Sequence, residues 1–169
     1  MKIFFVRSII AFAALVISSD AFAHEFYMKV TGVTQGAFKG ENAAGQIPLY
    51  GYSFNVASPI DAPTGQVSGR RQYQPITVTK NLDLATPELL KALINDEVLS
   101  TVVIEAYNTT KHGKIEHAYT ITLTNDVVVS VIQEATANEM QSEQISLSFQ
   151  SIEITDADVN VTDSWSAPD

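Results

Sequence analysis

The chain has 169 residues, enough for a single domain whose apolar core needs no covalent cross-links. It carries 19 Asp and Glu residues against 10 Lys and Arg residues, and the formal net charge of −9 argues against nucleic acid and anionic membrane surfaces as partners. The absence of cysteine excludes disulfides, zinc–thiolate sites and thiol nucleophiles.

The first 23 residues have the features of a Sec signal peptide. Positively charged residues precede an uncharged apolar run at 9–17, and Ala21 and Ala23 then supply the small side chains that a signal peptidase reads. The apolar run is shorter than the about 20 residues that a membrane anchor needs. We therefore predict cleavage between Ala23 and His24, no membrane anchor after cleavage, and export to the periplasm or the extracellular space.

Two N-terminal segments alternate apolar and polar residues with the period of a strand. Residues 25–31 form the first, with Phe26, Met28 and Val30 on one face. Residues 47–56 form the second, and one face of it carries Tyr50, Tyr52, Phe54 and Val56. We predict one half-buried strand over each segment.

Residues 57–69 contain two prolines and two glycines and are predicted to form a long loop. Loops of this length in compact domains are usually functional or flexible. Arg70 and Arg71 follow directly and are the only adjacent basic pair after the leader. We interpret them either as a contact for acidic groups of a partner or as a solvated strand end.

The clearest helix signal lies after residue 85. Thr86 is the predicted N-cap, Pro87 stands where a missing N–H costs nothing, and Glu88 faces the positive end of the helix dipole. Helical spacing then predicts one apolar face packed on a sheet, formed by Leu89, Leu90, Leu93 and Ile94.

The C-terminal half again has the period of strands, at 101–107, 115–123, 127–133 and 145–154. Asn125 and Asp126 are predicted to form a turn, residues 135–143 a polar loop, and a phase slip at Gln150 a β-bulge. About seven strands and one helix favour a mainly β fold, a compact antiparallel β-barrel with one flanking α-helix, over an open sandwich. We expect this domain to span 24–155 and to be followed by an acidic tail at 156–169.

No residue pattern points to catalysis. The chain has no G-x-S-x-G elbow and no phosphate-binding glycine loop. The carboxylate pairs Asp96/Glu97 and Glu139/Glu143 are expected on a solvated surface, and His117 is expected to be a partly buried strand residue. We predict a non-enzyme with no catalytic residues, no cofactor and no metal.

One alternative concerns His24. If cleavage occurs before it, its α-amine and imidazole form a chelating pair that can hold copper with His112 or His117. Secreted β-sandwich oxygenases that attack polysaccharides use this arrangement. The alternative hypotheses are therefore a secreted copper-binding or carbohydrate-active β-domain and, separately, a periplasmic binding module.

Several segments together resemble the haemolysin-coregulated protein (Hcp) family of type VI secretion. They are FYMKVTGVTQG at 26–36, the loop exit SGRR at 68–71, PITVTKNLDLATPELLKAL at 75–93, GKIEHAYTITLTNDVVVSV at 113–131, EQISLSFQSIEIT at 143–155 and the ending DSWSAPD. The strand–crossover–helix stretch at 75–93 is the most specific part. The resemblance lies in the order and spacing of these segments, which cover nearly the whole mature chain.

The resemblance implies a structural protein that is secreted and has no active site. Family members form a β-barrel with one flanking helix, assemble as a homo-hexameric ring, and stack into a tube that a contractile sheath propels. The tube carries a spike protein at its tip and small effector cargo in its lumen. Arg70 and Arg71 would then be ring contacts.

The predicted leader departs from this family pattern, because tube subunits are normally loaded from the cytoplasm without one. Three interpretations remain open. The chain is a family member with a periplasmic or extracellular role, a passenger with a different partner, or a tube protein whose first residues are not a leader.

Overall fold

The computed structural model describes residues 24–110, 112–135, 137, 141–156 and 158–164, so the predicted leader with Ala23 lies outside the described residues. Within these ranges the chain forms the following elements in order: β1 His24–Gly32, β2 Gly36–Ala37, β3 Ile47–Leu49, β4 Gly51–Ser53, β5 Val56–Ala57, β6 Gln72–Tyr73, β7 Ile76–Asn81, α1 Thr86–Ile94, β8 Val98–Thr109, β9 Ile115–Glu134, β10 Ser142–Ser148, β11 Ser151–Asp156 and β12 Asn160–Ser164.

Ten of the strands form one antiparallel sheet in the order β2-β1-β8-β9-β10-β7-β4, with β3 paired to β1, β11 to β9 and β12 to β11. β5 and β6 form a separate two-stranded ribbon. Tyr50 connects the two sides of this sheet, because β3 before it pairs with β1 and β4 after it pairs with β7. The predicted mainly β fold with one flanking helix is confirmed, although the hydrogen-bonded ladder itself does not close into a barrel.

The core is built from the alternating apolar residues of the strands. Met28 and Val30 of β1 are buried as predicted, and they face the inward residues of β8, β9 and β10. Removing such side chains from water is the main favourable term in folding. Fully or almost fully buried positions of these three strands include Leu99, Val102, Ile104, Ile121, Leu123, Ile145 and Leu147.

The helix was placed correctly, but its cap and part of its face were predicted wrongly. Ala85 is the N-cap residue, and Thr86 is the first helical residue and makes no capping hydrogen bond. Leu89 and Ala92 are buried, whereas Leu90 is 39% exposed and Ile94 is 70% exposed. The buried stripe therefore lies to one side of the predicted one, and α1 turns apolar side chains toward solvent.

The segment predicted as one strand at 47–56 is broken into three short pieces. Ile47 and Leu49 are buried, but Tyr50 is exposed, so the alternation changes phase at this residue. The Tyr50 N–H donates to the Thr79 carbonyl at 2.8 Å, which is where the chain leaves β1 for β7. Tertiary pairing overrides the local period here.

The predicted loop at 57–69 is instead part of a two-stranded arm, defined here as residues 55–74. β5 pairs with β6, and an isolated bridge joins Ile60 to Val67 further out. The turn at its tip is closed by the Asp61 N–H, which donates to the Gln66 carbonyl at 2.8 Å.

Four expectations for the C-terminal half differ from the structure. No turn occurs at Asn125 and Asp126, because β9 runs through both as a 20-residue strand, with a positive φ of 54° at Asn125. The phase slip at Gln150 is a change of strand, from β10 to β11, along the same edge of β9. Glu143, placed in a loop, lies in β10 and is buried. The segment 156–169 includes β12, for which we predicted no strand.

Candidate functional site

A buried ion cluster connects β7, β10 and the start of α1. The ammonium of Lys80 lies 2.6 Å from Glu143 Oε1 and 2.7 Å from Asp83 Oδ1. It also donates to the Asn81 carbonyl at 2.7 Å. Thr86 Oγ1 donates to Glu143 Oε1 at 2.5 Å. Lys80 and Glu143 are almost completely buried, so the pairing compensates charges that could not be buried alone.

The cluster explains how the helix begins. The Ala85 N–H donates to Asp83 Oδ1 at 2.9 Å, so a side chain three residues before Thr86 satisfies a backbone donor at the helix start. Thr86 is thereby free to bridge to β10. The strand period contains a signal for this cluster. Lys80 is in phase with Ile76 and Val78, and Glu143 is in phase with Ile145 and Leu147, so both charged side chains point inward.

The two candidate ring-contact arginines differ. Arg71 forms a two-point ion pair with Asp163 of β12, with Nε and Nη2 each 2.8 Å from a carboxylate oxygen. The Tyr73 hydroxyl also donates to this carboxylate, and these donors lower the pKa of Asp163. Arg71 therefore holds the base of the arm against β12 within the same chain.

Arg70 is exposed and, among the described residues, makes no hydrogen bond or ion pair. It lines a cleft of about 540 Å³ at the base of the arm, together with Arg71, Ser58 and Ser164. Of the two arginines, Arg70 is thus the one whose charge is available to a partner.

The histidines lie at one end of the sheet. The backbone of His24 pairs with Asn108, so β1 begins beside the end of β8. His117 was expected to be partly buried but is exposed, with its ring 5.5 Å from that of Tyr107 in an edge contact and its Nε2 2.9 Å from Thr120 Oγ1. His112 is exposed in the hairpin turn. Within the described part of the chain, no group of three His, Asp or Glu residues is arranged to hold a metal ion.

Glu97 and Glu143 do not lie on a solvated surface as expected, because both are buried. Asp96 is exposed, while Glu97 is buried and accepts the N–H groups of Thr34 and Gln35 at 2.8 and 2.7 Å. Burial acts to raise the pKa of Glu97, but these backbone donors outweigh it and lower the pKa. Glu139 lies outside the described residues.

Asp126 is the one described residue with buried side-chain oxygens that have no hydrogen-bond partner in another residue. Its side chain is fully buried in β9, opposite Leu99 of β8. Burial raises the pKa of Asp126 to about 8, and its own backbone N–H opposes the shift only in part. The carboxyl group is therefore mostly protonated at neutral pH.

Among the residues described, no helix has both the length and the apolar character to cross a membrane. The geometry provides an exposed arm, an exposed helix face and a cleft lined by the Arg70 guanidinium. These exposed surfaces are suited to contacts with another macromolecule.

Known proteins share this sequence pattern and this fold. The family model "Type VI secretion system effector, Hcp" matches residues 27–155. A "Major exported protein" from Pseudomonas aeruginosa is 34% identical over 118 residues, which is 62% of this chain and 69% of that protein. A solved "Crystal structure of Hcp protein" has a TM-score of 0.78 at 25% identity, covering 85% of this chain and 100% of the other.

A second solved structure, "Secreted protein Hcp3 from Pseudomonas aeruginosa", has a TM-score of 0.69 at 24% identity and covers 86% of this chain and 100% of that one, which supports the fold alone. The family model spans well over half of the chain and includes the buried ion cluster, the arm and the helix. This chain belongs to the Hcp family of type VI secretion effectors, which are secreted structural proteins.

Proposed function

We propose that the chain is a non-enzymatic subunit that forms homo-hexameric rings, and that these rings stack into a tube for effector delivery. The observation that carries the proposal is the match to Hcp over residues 27–155 together with a fold that covers the whole of a solved Hcp chain. The exposed arm and exposed helix face give the subunit apolar surface that a ring or a stack can cover.

Native mass spectrometry of the processed protein tests the ring directly. A hexamer at micromolar concentration is the expected result. A monomer over the same concentration range contradicts the ring and with it the tube. The measurement is independent of sheath, spike or cargo, which enter the proposal only as partners of an assembled tube.

We further propose that Arg70 is the ring contact of the arginine pair and that Arg71 acts indirectly. Arg70 supplies an uncommitted charge in the cleft, whereas Arg71 is held by Asp163. Arg70→Glu should weaken assembly and leave the melting temperature unchanged, since this exposed side chain makes no hydrogen bond or ion pair with the described residues of its own chain. Arg71→Ala is the comparison variant, and it should loosen the base of the arm by removing the ion pair with Asp163. Equal assembly of wild type and Arg70→Glu would remove Arg70 from the interface.

We also propose that the leader at 1–23 is cleaved and that assembly takes place outside the cytoplasm. The support is the leader pattern itself and the backbone position of His24, which opens β1 directly after the cleavage site. Amino-terminal sequencing of the exported protein should start at His24. A start at Met1 would show that residues 1–23 are not cleaved, and it would favour loading of the subunit into the tube from the cytoplasm.

A further inference from the structure

The outer part of the arm exposes apolar side chains that its own chain does not cover. Ile60 is 66% exposed and Val67 is 68% exposed, although the two residues face each other across the bridge. Opposed residues of an antiparallel pair have Cβ atoms about 5 Å apart, so the two side chains form one small apolar knob. An exposed apolar pair on a two-stranded ribbon is available for contact with a partner.

A fixed negative charge lies next to this knob. Asp61 follows Ile60, and its Oδ1 accepts the Thr64 N–H at 2.9 Å and the Thr64 hydroxyl at 2.7 Å. These two bonds lower the pKa of Asp61 and fix the orientation of its carboxylate at the tip. The tip of the arm therefore presents an apolar pair and an oriented anion.

The outward face of α1 has the complementary pattern. Leu90 and Ile94 are exposed one helical turn apart, a spacing of about 6 Å that matches the spacing of the arm's apolar pair. Lys91 lies beside Leu90, is exposed, and forms no ion pair with any described residue, although its charge acts at longer range on Glu97. The helix face is thus an apolar stripe bordered by a cation.

We infer that the arm of one copy docks on the outward face of α1 of a second copy, with Ile60 and Val67 packed on Leu90 and Ile94 and Asp61 facing Lys91. The two surfaces are different parts of the chain, so the contact is heterologous and repeats from copy to copy, as ring closure or stacking requires. The inference rests on the proposed self-assembly and specifies one of its contacts. A contact within one chain is excluded, because both surfaces are exposed in the same folded copy.

A charge swap tests the pairing. Asp61→Lys and Lys91→Asp should each raise the protein concentration at half-assembly about fivefold, the size of one exposed ion pair, and the double variant should return it to the wild-type value. The effect of the single variants should shrink at high salt. All three variants should keep the fold, because the substitutions lie in the arm and on the exposed face of α1, and their thermal melting midpoints serve as the control.

Disulfide trapping provides a second test. Because the chain contains no cysteine, only the introduced cysteines can form disulfides. Val67→Cys combined with Leu90→Cys should give disulfide-linked multimers on mild oxidation. The matched control combines Val67→Cys with Val129→Cys, an exposed position on β9 outside the proposed contact, and should remain unlinked.

The outcomes separate the two proposals. If the wild type forms rings but the charge swap does not restore assembly and no cross-link forms, the arm–helix contact is wrong and the ring stands. If the wild type remains a monomer, self-assembly fails and the arm–helix contact fails with it.

Discussion

Replacing Asp126 by Asn should remove most of the pH dependence of this protein's stability near neutrality. The carboxyl group is fully buried in β9, and neither oxygen accepts a hydrogen bond from another described residue. Its ordinary pKa of 3.8 is raised by burial to about 8. The folded state therefore retains a proton that the unfolded chain has already released at neutral pH.

The sign and size follow from this difference. Between the two pKa values the native state binds more protons than the unfolded state, so the free energy of unfolding decreases as pH rises, and the loss is complete above the folded pKa. From about pH 5 to about pH 7 the loss from this one group is about 3 kcal/mol, since each pKa unit corresponds to about 1.4 kcal/mol. Asn has nearly the same shape and does not titrate in this range.

Urea unfolding of the processed wild type and of Asp126→Asn at about pH 5, 6 and 7 measures the difference in slope. The wild type should lose about 3 kcal/mol more than the variant across the series. Parallel curves for the two proteins would refute the reasoning, because they would show that Asp126 is solvated or hydrogen-bonded in the folded protein.

Three other perturbations probe the packing around the helix. Lys80→Met should destabilise the protein by about 3–5 kcal/mol in urea unfolding, because it leaves Glu143 buried without its cation. Gly32→Ala should cost about 1–3 kcal/mol, since an added Cβ would lie 2.4 Å from Glu97 Oε1. Glu97→Gln should weaken the dependence of the melting temperature on pH in acid. The lowered pKa of Glu97 stabilises the fold at pH values above the ordinary pKa of a glutamate, and this stabilisation is lost as the pH falls through the lowered pKa. Lys114→Met and Gly51→Ala are the matched controls for the first two, as the Lys114 ion pair is exposed and a Cβ on Gly51 meets nothing within 4 Å.

Each of these predictions has a distinct contrary result. A Lys80→Met protein as stable as the Lys114→Met control would mean that the buried cluster contributes no net stabilisation. A tolerated Gly32→Ala change would mean that the Glu97 side chain can move away without losing its backbone donors. An unchanged acid transition in Glu97→Gln would mean that those donors do not favour the ionised carboxylate.

The local pattern predicted the strand faces where neighbouring strands are long and regular. Residues 25–31 and 101–107 were predicted correctly, since both lie in β1 and β8, which pair side by side over nearly their whole length. The pattern failed at 47–56, where residues 47–49 pair with β1 and residues 51–53 pair with β7. A period-2 pattern reports which side chains share a face, but it contains no information on where a chain changes partners.

In the candidate site, the sequence identified residues but did not identify their partners. Arg70 and Arg71 were found from the sequence as a basic pair, but their different roles were not, because Asp163 is 92 residues away from Arg71. The cluster of Lys80 with Glu143 was missed because Glu143 was expected on a solvated surface and no role was assigned to Lys80. Their inward phase was visible in the sequence, whereas their meeting across two paired strands was not.

The sequence by itself determined the acidity of the chain, the mainly β character, the position of α1 and the resemblance to Hcp. These properties depend on composition, on periodicity and on the order of segments, which are local or linear features. Only the tertiary structure decided which charges are buried, which arginine is free, and that an apolar arm and an apolar helix face are left exposed in the same folded copy. The physical reason is that burial and electrostatic pairing depend on residues brought together from distant parts of the chain.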